Sequence, residues 1–306
     1  MQMTDKGRVI KGLDGLYFVL TDDRETISCK ARGVLRHEKK IVNVGDRVSL
    51  RSDKDGIFIE DIIERKNSLI RPPISNLDVL FIVISAKKPD PVLLTADKLI
   101  SIAEHNSIEP IIIISKSDLD EEEASRIESI YKTSGFKVIS SGLDSGKTEL
   151  YDFITENAKS KISAFAGASG VGKSTLINHV FPSLSLETGS ISRKTERGKH
   201  TTRHVELFSM SELTGDESVS GFIADTPGFS MLDFVKFDFF SKDDLVFTFR
   251  EFETYLGKCK YTKCSHTKEE GCKIIEAVEN GIIPKSRHES YVELYSQLKD
   301  KHDWDK

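Results

Sequence analysis

Long apolar runs are missing from this chain. The longest, residues 79–84 and 111–114, have the length of strands and fall far short of the roughly 20 residues that a membrane-spanning helix needs. The first residues, MQMTDKGRV, lack the apolar stretch of a signal peptide, so a cytoplasmic protein with no membrane partner is expected. Cysteine is scarce, with four in 306 residues. Cys29 stands alone, while Cys259, Cys264 and Cys272 crowd around His266, a grouping that suits a metal site better than a disulfide set. An excess of positive charge is absent too: 44 Lys and Arg against 49 Asp and Glu give a net charge of −5, which argues against a general nucleic-acid binder. The composition, 38% hydrophobic and 30% charged, is that of a soluble globular protein, and the length allows two or three domains with sizeable cores.

The average charge hides local patches. Between Lys30 and Arg51 stand seven basic residues (Lys30, Arg32, Arg36, Lys39, Lys40, Arg47, Arg51) and two acids. Between Arg193 and Arg203 stand five (Arg193, Lys194, Arg197, Lys199, Arg203) and one acid. Each alone reads as a solvated face; two of them beside a nucleotide site and a small metal module point toward RNA.

Three regions follow from the patterning. Residues 1–72 hold five short alternating segments (7–11, 16–20, 26–31, 47–51, 56–62) separated by turn residues, which predicts an all-β OB-fold barrel for RNA binding. Pro72-Pro73 marks a boundary, since neither proline can donate a ladder hydrogen bond. Residues 73–234 alternate strands and helices, the pattern of a doubly wound α/β domain with a mostly parallel sheet. Residues 235–306 are helical and aromatic, and the phenylalanines 234, 237, 239, 240, 247, 249 and 252 are expected to pack a core in this zinc-binding domain.

The chemistry sits in three boxes. GASGVGKS at 167–174 is a phosphate loop, in which backbone N–H groups at a helix N-terminus surround the phosphates. Its nucleotide-binding residues are Gly167, Ala168, Ser169, Gly170, Val171, Gly172, Lys173, Ser174 and Thr175. Lys173 reaches the β- and γ-phosphates, and the Ser174 hydroxyl ligates Mg²⁺. DTPG at 225–228 supplies Asp225 for Mg²⁺ and the Gly228 N–H for the γ-phosphate. SKSD at 115–118 (Ser115, Lys116, Ser117, Asp118) is a base box: the Asp118 carboxylate accepts from N1–H and N2–H₂ of guanine, which adenine cannot supply. Ser115 stands where asparagine is usual and is expected to lose part of the contact to base and phosphate loop. Ser140-Ser141-Gly142 is similar to a loop that touches guanine O6, or is a plain turn. The base box precedes the phosphate loop, the reverse of the ordinary order, and this rotation signals a circularly permuted GTPase. GKHTTRH at 198–204 reads as switch I, with Thr202 preferred over Thr201 as the remaining Mg²⁺ ligand. Phe229 follows DTPG and cannot orient water by a hydrogen bond, so slow intrinsic hydrolysis is expected, with His200 as base or water positioner.

Cys259-x₄-Cys264-x-His266-x₅-Cys272 offers a Cys₃His set for one closed, structural Zn²⁺, ringed by Lys258, Lys260, Lys263, Lys268 and Lys273.

Barrel, permuted GTPase and this metal spacing closely resemble the ribosome small-subunit-dependent GTPase A family, the bacterial circularly permuted ribosome-assembly GTPases. The likeness spans nearly the whole chain and includes GRV at 7–9, VGDRV at 44–48, RP at 71–72, the phosphate loop, GKHTT at 198–202 and DTPGF at 225–229. The resemblance implies an OB-fold, weak intrinsic GTP hydrolysis stimulated by the 30S subunit, and a role in late 30S maturation on 16S rRNA. It also implies that the histidine matching His200 acts in hydrolysis. A monomer cycling between GTP and GDP is expected. The competing readings are an RNA-binding scaffold that uses GTP as an on/off ligand, a permuted GTPase of large-subunit assembly, and, more remotely, a nucleotide kinase.

Overall fold

The computed structural model describes residues 4–38, 40–54, 56–142, 147–184, 205–226 and 241–299. In chain order its elements are β1 (Thr4–Leu13), β2 (Leu16–Thr21), β3 (Thr26–Ala31), α1 (Gly33–His37), β4 (Arg47–Asp53), β5 (Gly56–Ile62), β6 (Ser68–Leu69), β7 (Ile74–Ser75), β8 (Val79–Ser85), α2 (Leu93–His105), β9 (Glu109–Ser115), α3 (Glu121–Thr133), β10 (Lys137–Ser141), α4 (Lys147–Ala158), β11 (Ile162–Ala166), α5 (Lys173–Val180), β12 (Glu206–Ser209), α6 (Met210–Thr214), β13 (Phe222–Asp225), α7 (Lys273–Glu279) and α8 (Lys285–Lys299). They belong to two compact units, one of Met1–Val79, Thr155–Phe165 and Ile191–Phe229, the other of Leu80–Ile154, Ala166–Ser190 and Ser230–Lys306.

In the first unit, β1 to β5 close a five-stranded barrel in the order β1-β2-β3-β5-β4, with β4 returning to β1. The β1–β2 hairpin turns at Asp14 (φ 48°) and Gly15 (φ 85°), two left-handed residues whose twist matches that of the strands. Alternate residues face inward and bury Val9, Val19, Cys29, Val48, Leu50 and Ile59, and Leu35 of α1 joins this core. Lone Cys29 is therefore a core residue, its thiol pushed up to about 11 by burial. The end of β1 continues the sheet by pairing antiparallel with β12 at Lys11↔Glu206, where the two side chains form a 2.7 Å ion pair. β12 pairs antiparallel with β13, and β13 runs parallel to β11.

The barrel supplies partners for much of its own positive charge. Much of the basic patch at 30–51 is paired within the barrel: Arg32 with Asp53 at 2.8 Å, Lys40 with Glu38 at 2.9 Å, Arg47 with Asp22 at 2.5 Å and Arg51 with Glu60 at 2.9 Å. Acids from β4, from β5, from the turn after β2 and from the residue after α1 meet these cations, so the local run of positive charge does not become an equally positive surface.

In the second unit the strand order is β10-β9-β8. β9 and β10 are parallel, and every residue of β8 is buried, as in a strand covered on both faces. α3 is capped by Asp120, which accepts from the Glu123 N–H at 3.1 Å, and it opens with Glu121, Glu122 and Glu123 where the helix dipole favours acids. α8 packs on this α/β framework through a buried ion cluster. Arg287 (side chain 1% exposed) donates to Asp97 of α2 (0% exposed) at 2.6 Å and to Glu251 at 2.7 Å. The Tyr131 hydroxyl of α3 donates to the same Asp97 oxygen at 3.0 Å, and the guanidinium lies 4.5 Å from the Phe249 ring centre. Burial would lower the Arg287 pKa, but Glu251 and Asp97 outweigh it and raise it, so the charge persists. Phe249 and Phe252 stack in this core as expected, whereas Phe247 is 71% exposed; it lies on a short 3₁₀ turn whose neighbours Leu245 and Thr248 take the inward positions.

Removing one partner of a buried pair strands the other charge. Arg287→Ala is expected to lower stability by about 3–5 kcal/mol in urea unfolding. A loss below about 1 kcal/mol would show that the cluster does not hold α8 in place.

Candidate functional site

Two loops of the second unit carry the residues expected to cradle the nucleotide. The phosphate loop leaves β11 at Gly167, where φ is +143° and a Cβ would stand 2.4 Å from the Val83 carbonyl oxygen of β8. No other residue type fits this contact. Gly170 (φ 80°) and Gly172 (φ 95°) carry the loop through left-handed turns, and Gly172 caps α5. Ala168, Ser169 and Gly170 face outward to half-buried or exposed positions, and Ser174 and Thr175 lie on the first turn of α5. Lys173 curls back over the loop, donating to the carbonyls of Gly167 (2.9 Å) and Ala168 (2.8 Å). Burial lowers its pKa.

The base box follows β9. Lys116 adopts a left-handed conformation (φ 56°), and Ser117 to Leu119 form a 3₁₀ turn that presents Asp118 at the surface. The box is tied directly to the phosphate loop. Ser115 Oγ donates to the Val171 carbonyl at 2.6 Å, and Lys116 Nζ donates to the Gly170 carbonyl at 2.9 Å and also to the Lys88 carbonyl. Ser115, expected to lose part of this contact, keeps a hydrogen bond to the phosphate loop. Parallel pairing of β9 and β10 sets Ser141 level with Ser115, so Ser140-Ser141-Gly142 emerges beside the base box.

In the first unit, Asp225 ends β13 at an exposed position. Parallel register Ala164↔Ala224 turns the carboxyl ends of β11 and β13 the same way, as nucleotide-binding sheets require. His200, Thr201, Thr202, Gly228 and Phe229 lie outside the described residues.

The sequence reading missed the segment after β8. Ser85 Oγ donates to the Pro89 carbonyl at 2.7 Å, Lys88 accepts from Lys116, and Pro89 Cδ would lie 3.7 Å from a Cβ at Gly170. With Val92, Thr95 and Ala96 this segment walls a cavity of about 150 Å³ behind Gly167 to Ser169. Its only sequence signal is the rigid Pro-Asp-Pro at 89–91.

The cysteine cluster forms in the second unit. The ligand atoms of Cys259, Cys264, His266 and Cys272 lie within 4.8 Å of one another. A tetrahedral zinc with Zn–S of about 2.3 Å and Zn–N of about 2.0 Å requires S···S near about 3.8 Å and S···N near about 3.5 Å. Cys259 and Cys272 are 3.8 Å apart, and His266 Nδ1 is 3.5 and 3.4 Å from their sulfurs. The donor set therefore fits one Zn²⁺. Burial pushes the Cys264 thiol up to about 12 and raises that of Cys272, so the thiolates need a cation's charge. A second layer orients the ligands. The Lys273 N–H points at Cys259 Sγ (3.4 Å), and His266 sits at φ 59° with its carbonyl 2.7 Å from His288 Nε2. The Tyr291 hydroxyl donates to the Ser265 carbonyl at 2.8 Å. Glu269 accepts from the N–H groups of Ser265, Thr267 and Lys268. Burial would raise its carboxyl, yet these bonds and that of the Ser265 hydroxyl hold it at about 2. Spacing could not reveal His288 and Tyr291, which reach back from α8.

Fold and cradle together define a circularly permuted GTPase. The RsgA GTPase family model matches residues 62–235 and the RsgA N-terminal domain model residues 6–57. The chain is 39% identical over 298 residues to the small ribosomal subunit biogenesis GTPase RsgA of Ruminiclostridium cellulolyticum, covering 96% of this chain and 94% of that one. It is 38% identical over 301 residues to the protein of the same name from Caldanaerobacter subterraneus subsp. tengcongensis, covering 97% and 96%. Among solved structures it is similar to YloQ, a circularly permuted GTPase (TM-score 0.78, 32% identity, 98% of this chain and 96% of that one). It is also similar to YjeQ from Thermotoga maritima (TM-score 0.79, 29% identity, 98% and 100%). The chain belongs to the RsgA GTPase family and is a GTP-hydrolysing enzyme.

Two outcomes test the site. Gly167→Ala is expected to abolish GTP binding, measured with a fluorescent GTP analogue, while far-UV circular dichroism stays that of the parent; unchanged affinity would overturn the close-approach argument. Chelation is expected to release one zinc per chain, read with a chromogenic indicator, and to lower the melting temperature. A metal-free chain with the same melting temperature would remove the structural role.

Proposed function

We propose that this GTPase acts in late maturation of the 30S ribosomal subunit, with weak intrinsic turnover that the subunit stimulates. The observation that carries the reading is near-full-length similarity to proteins named small ribosomal subunit biogenesis GTPase RsgA. In this reading residues 1–72 are an RNA-binding barrel, 73–234 the GTPase domain and 235–306 a zinc-binding module, with 16S rRNA as the target. The exposed Lys258, Lys263 and Lys268 around the metal cluster support phosphate contacts there. The protein works as a cytoplasmic monomer.

Residues 167–175, Asp225 and Gly228 hold the phosphates, and Ser115, Lys116, Ser117 and Asp118 hold the base. Ser174, Thr202 and Asp225 would hold Mg²⁺, which supplies charge neutralisation at the β- and γ-phosphates when bound. Lys173 neutralises the same oxygens from the protein side, and His200 positions or deprotonates the attacking water in place of the glutamine that Phe229 replaces.

Turnover measured alone, with 30S and with 50S subunits tests the assignment. Stimulation by 30S only is expected, and His200→Ala should remove most of it, by about 10²-fold or more, with little change in GTP affinity. Equal rates with and without either subunit would favour the scaffold reading, in which GTP is an on/off ligand.

A further inference from the structure

We infer that, among the described residues, the serines ending β9 and β10 give guanine no side-chain hydrogen bond at the purine N7, because the proton of Ser115 is committed to the phosphate loop. The inference rests on the reading of 115–118 as the base box and narrows what that box reads.

A serine hydroxyl carries one proton. Ser115 Oγ lies 2.6 Å from the Val171 carbonyl and 3.4 Å from the Ile84 carbonyl. Both neighbours are acceptors only, so the hydroxyl donates, and its one proton goes to the nearer oxygen. The residue is 6% exposed, which leaves the side chain little room to swing away without breaking the tie between base box and phosphate loop. An asparagine amide would bring two protons and could serve the loop carbonyl and a base acceptor together; serine cannot.

The neighbouring hydroxyls are committed as well. β9 and β10 pair so that Ser115 lies level with Ser141 and Ile114 with Ser140. Ser140 Oγ donates to Glu128 Oε2 at 2.8 Å, and Ser141 Oγ donates to the Gly142 carbonyl at 3.3 Å. The serine side chains that end these two strands therefore point their protons at the protein. Asp118 supplies acceptors for N1–H and N2–H₂, on the opposite edge of the purine from N7. Selectivity then lies on the Watson–Crick edge, and the accepted ligand class is a nucleoside triphosphate with guanine's N1, N2 and O6, whether or not position 7 is nitrogen. Ser115 is in this view a positioning residue that acts through the phosphate loop.

The experiment compares GTP with 7-deaza-GTP, in which N7 is replaced by C–H, by competition against a fluorescent GDP analogue on the full chain. Affinities within about two-fold of each other are expected; a larger loss for 7-deaza-GTP would overturn the inference. Ser115→Ala should weaken both nucleotides by the same factor, since it removes a loop anchor and no base contact. Ser115→Asn should restore discrimination, with GTP bound several-fold more tightly than 7-deaza-GTP; a Ser115→Asn chain that binds both alike would count against the proton argument. The parent comparison decides the matter should that variant fail to fold. If GTP and ATP compete equally with the parent chain, the base-box reading fails instead, an outcome distinct from any difference between GTP and its 7-deaza form.

Discussion

One short hydrogen bond, from Ser115 Oγ to the Val171 carbonyl at 2.6 Å, ties the base box to the phosphate loop. It joins the end of β9 to a loop 56 residues further along the chain, and Lys116 reinforces it by bridging the carbonyls of Gly170 and Lys88. The contact fixes the separation of the two loops. Chain order is irrelevant to it. A permuted connection places the base box before the phosphate loop, and each still follows the carboxyl end of its own strand, β9 or β11. β8 completes the support, since Gly167 can approach its Val83 carbonyl only because it lacks a Cβ.

A second constraint organises the C-terminal part of the same unit. Arg287, Asp97 and Glu251 are almost wholly shielded from solvent, and buried charges persist only when paired. Arg287 stands on α8, Asp97 on α2 and Glu251 on a 3₁₀ turn, so the cluster requires all three to dock together. α8 also reaches the metal ligands: His288 and Tyr291 hold the carbonyls of His266 and Ser265. One helix thus serves both the ion cluster and the cysteine cluster. The α2 wall of the phosphate-loop cavity, at Thr95 and Ala96, directly precedes Asp97.

Charge in the barrel shows how a linear pattern can mislead. The basic run at 30–51 counts as seven cations against two acids when only neighbours in sequence are considered. The barrel's folding brings Asp22, Asp53 and Glu60 against three of its arginines, and these acids come from outside the run. The lysines of the metal loop differ: Lys258, Lys263 and Lys268 project from a loop whose backbone is held by Glu269 and the cysteine cluster, and they are exposed. Lys260 and Lys273 beside the same cluster pair with Glu270 and Glu276, and the second basic run, at 193–203, lies outside the described residues.

Much was legible from sequence because it was local. Five strands of the barrel, the phosphate loop, the base box and the Cys₃His spacing each depend on residues within a few positions of one another, where backbone geometry and ligand count dictate residue type. The order of the boxes declared the permutation, since order is a property of the chain itself. Tertiary structure decided what lies between distant segments: that Ser115 keeps its bond to the phosphate loop, that Arg287 finds Asp97, that residues 85–92 support the loop, and that Phe247 faces outward while Phe249 and Phe252 do not. The physical reason is that a hydrogen bond or ion pair depends on ångström-scale approach in space, and separation along the chain carries no record of that approach.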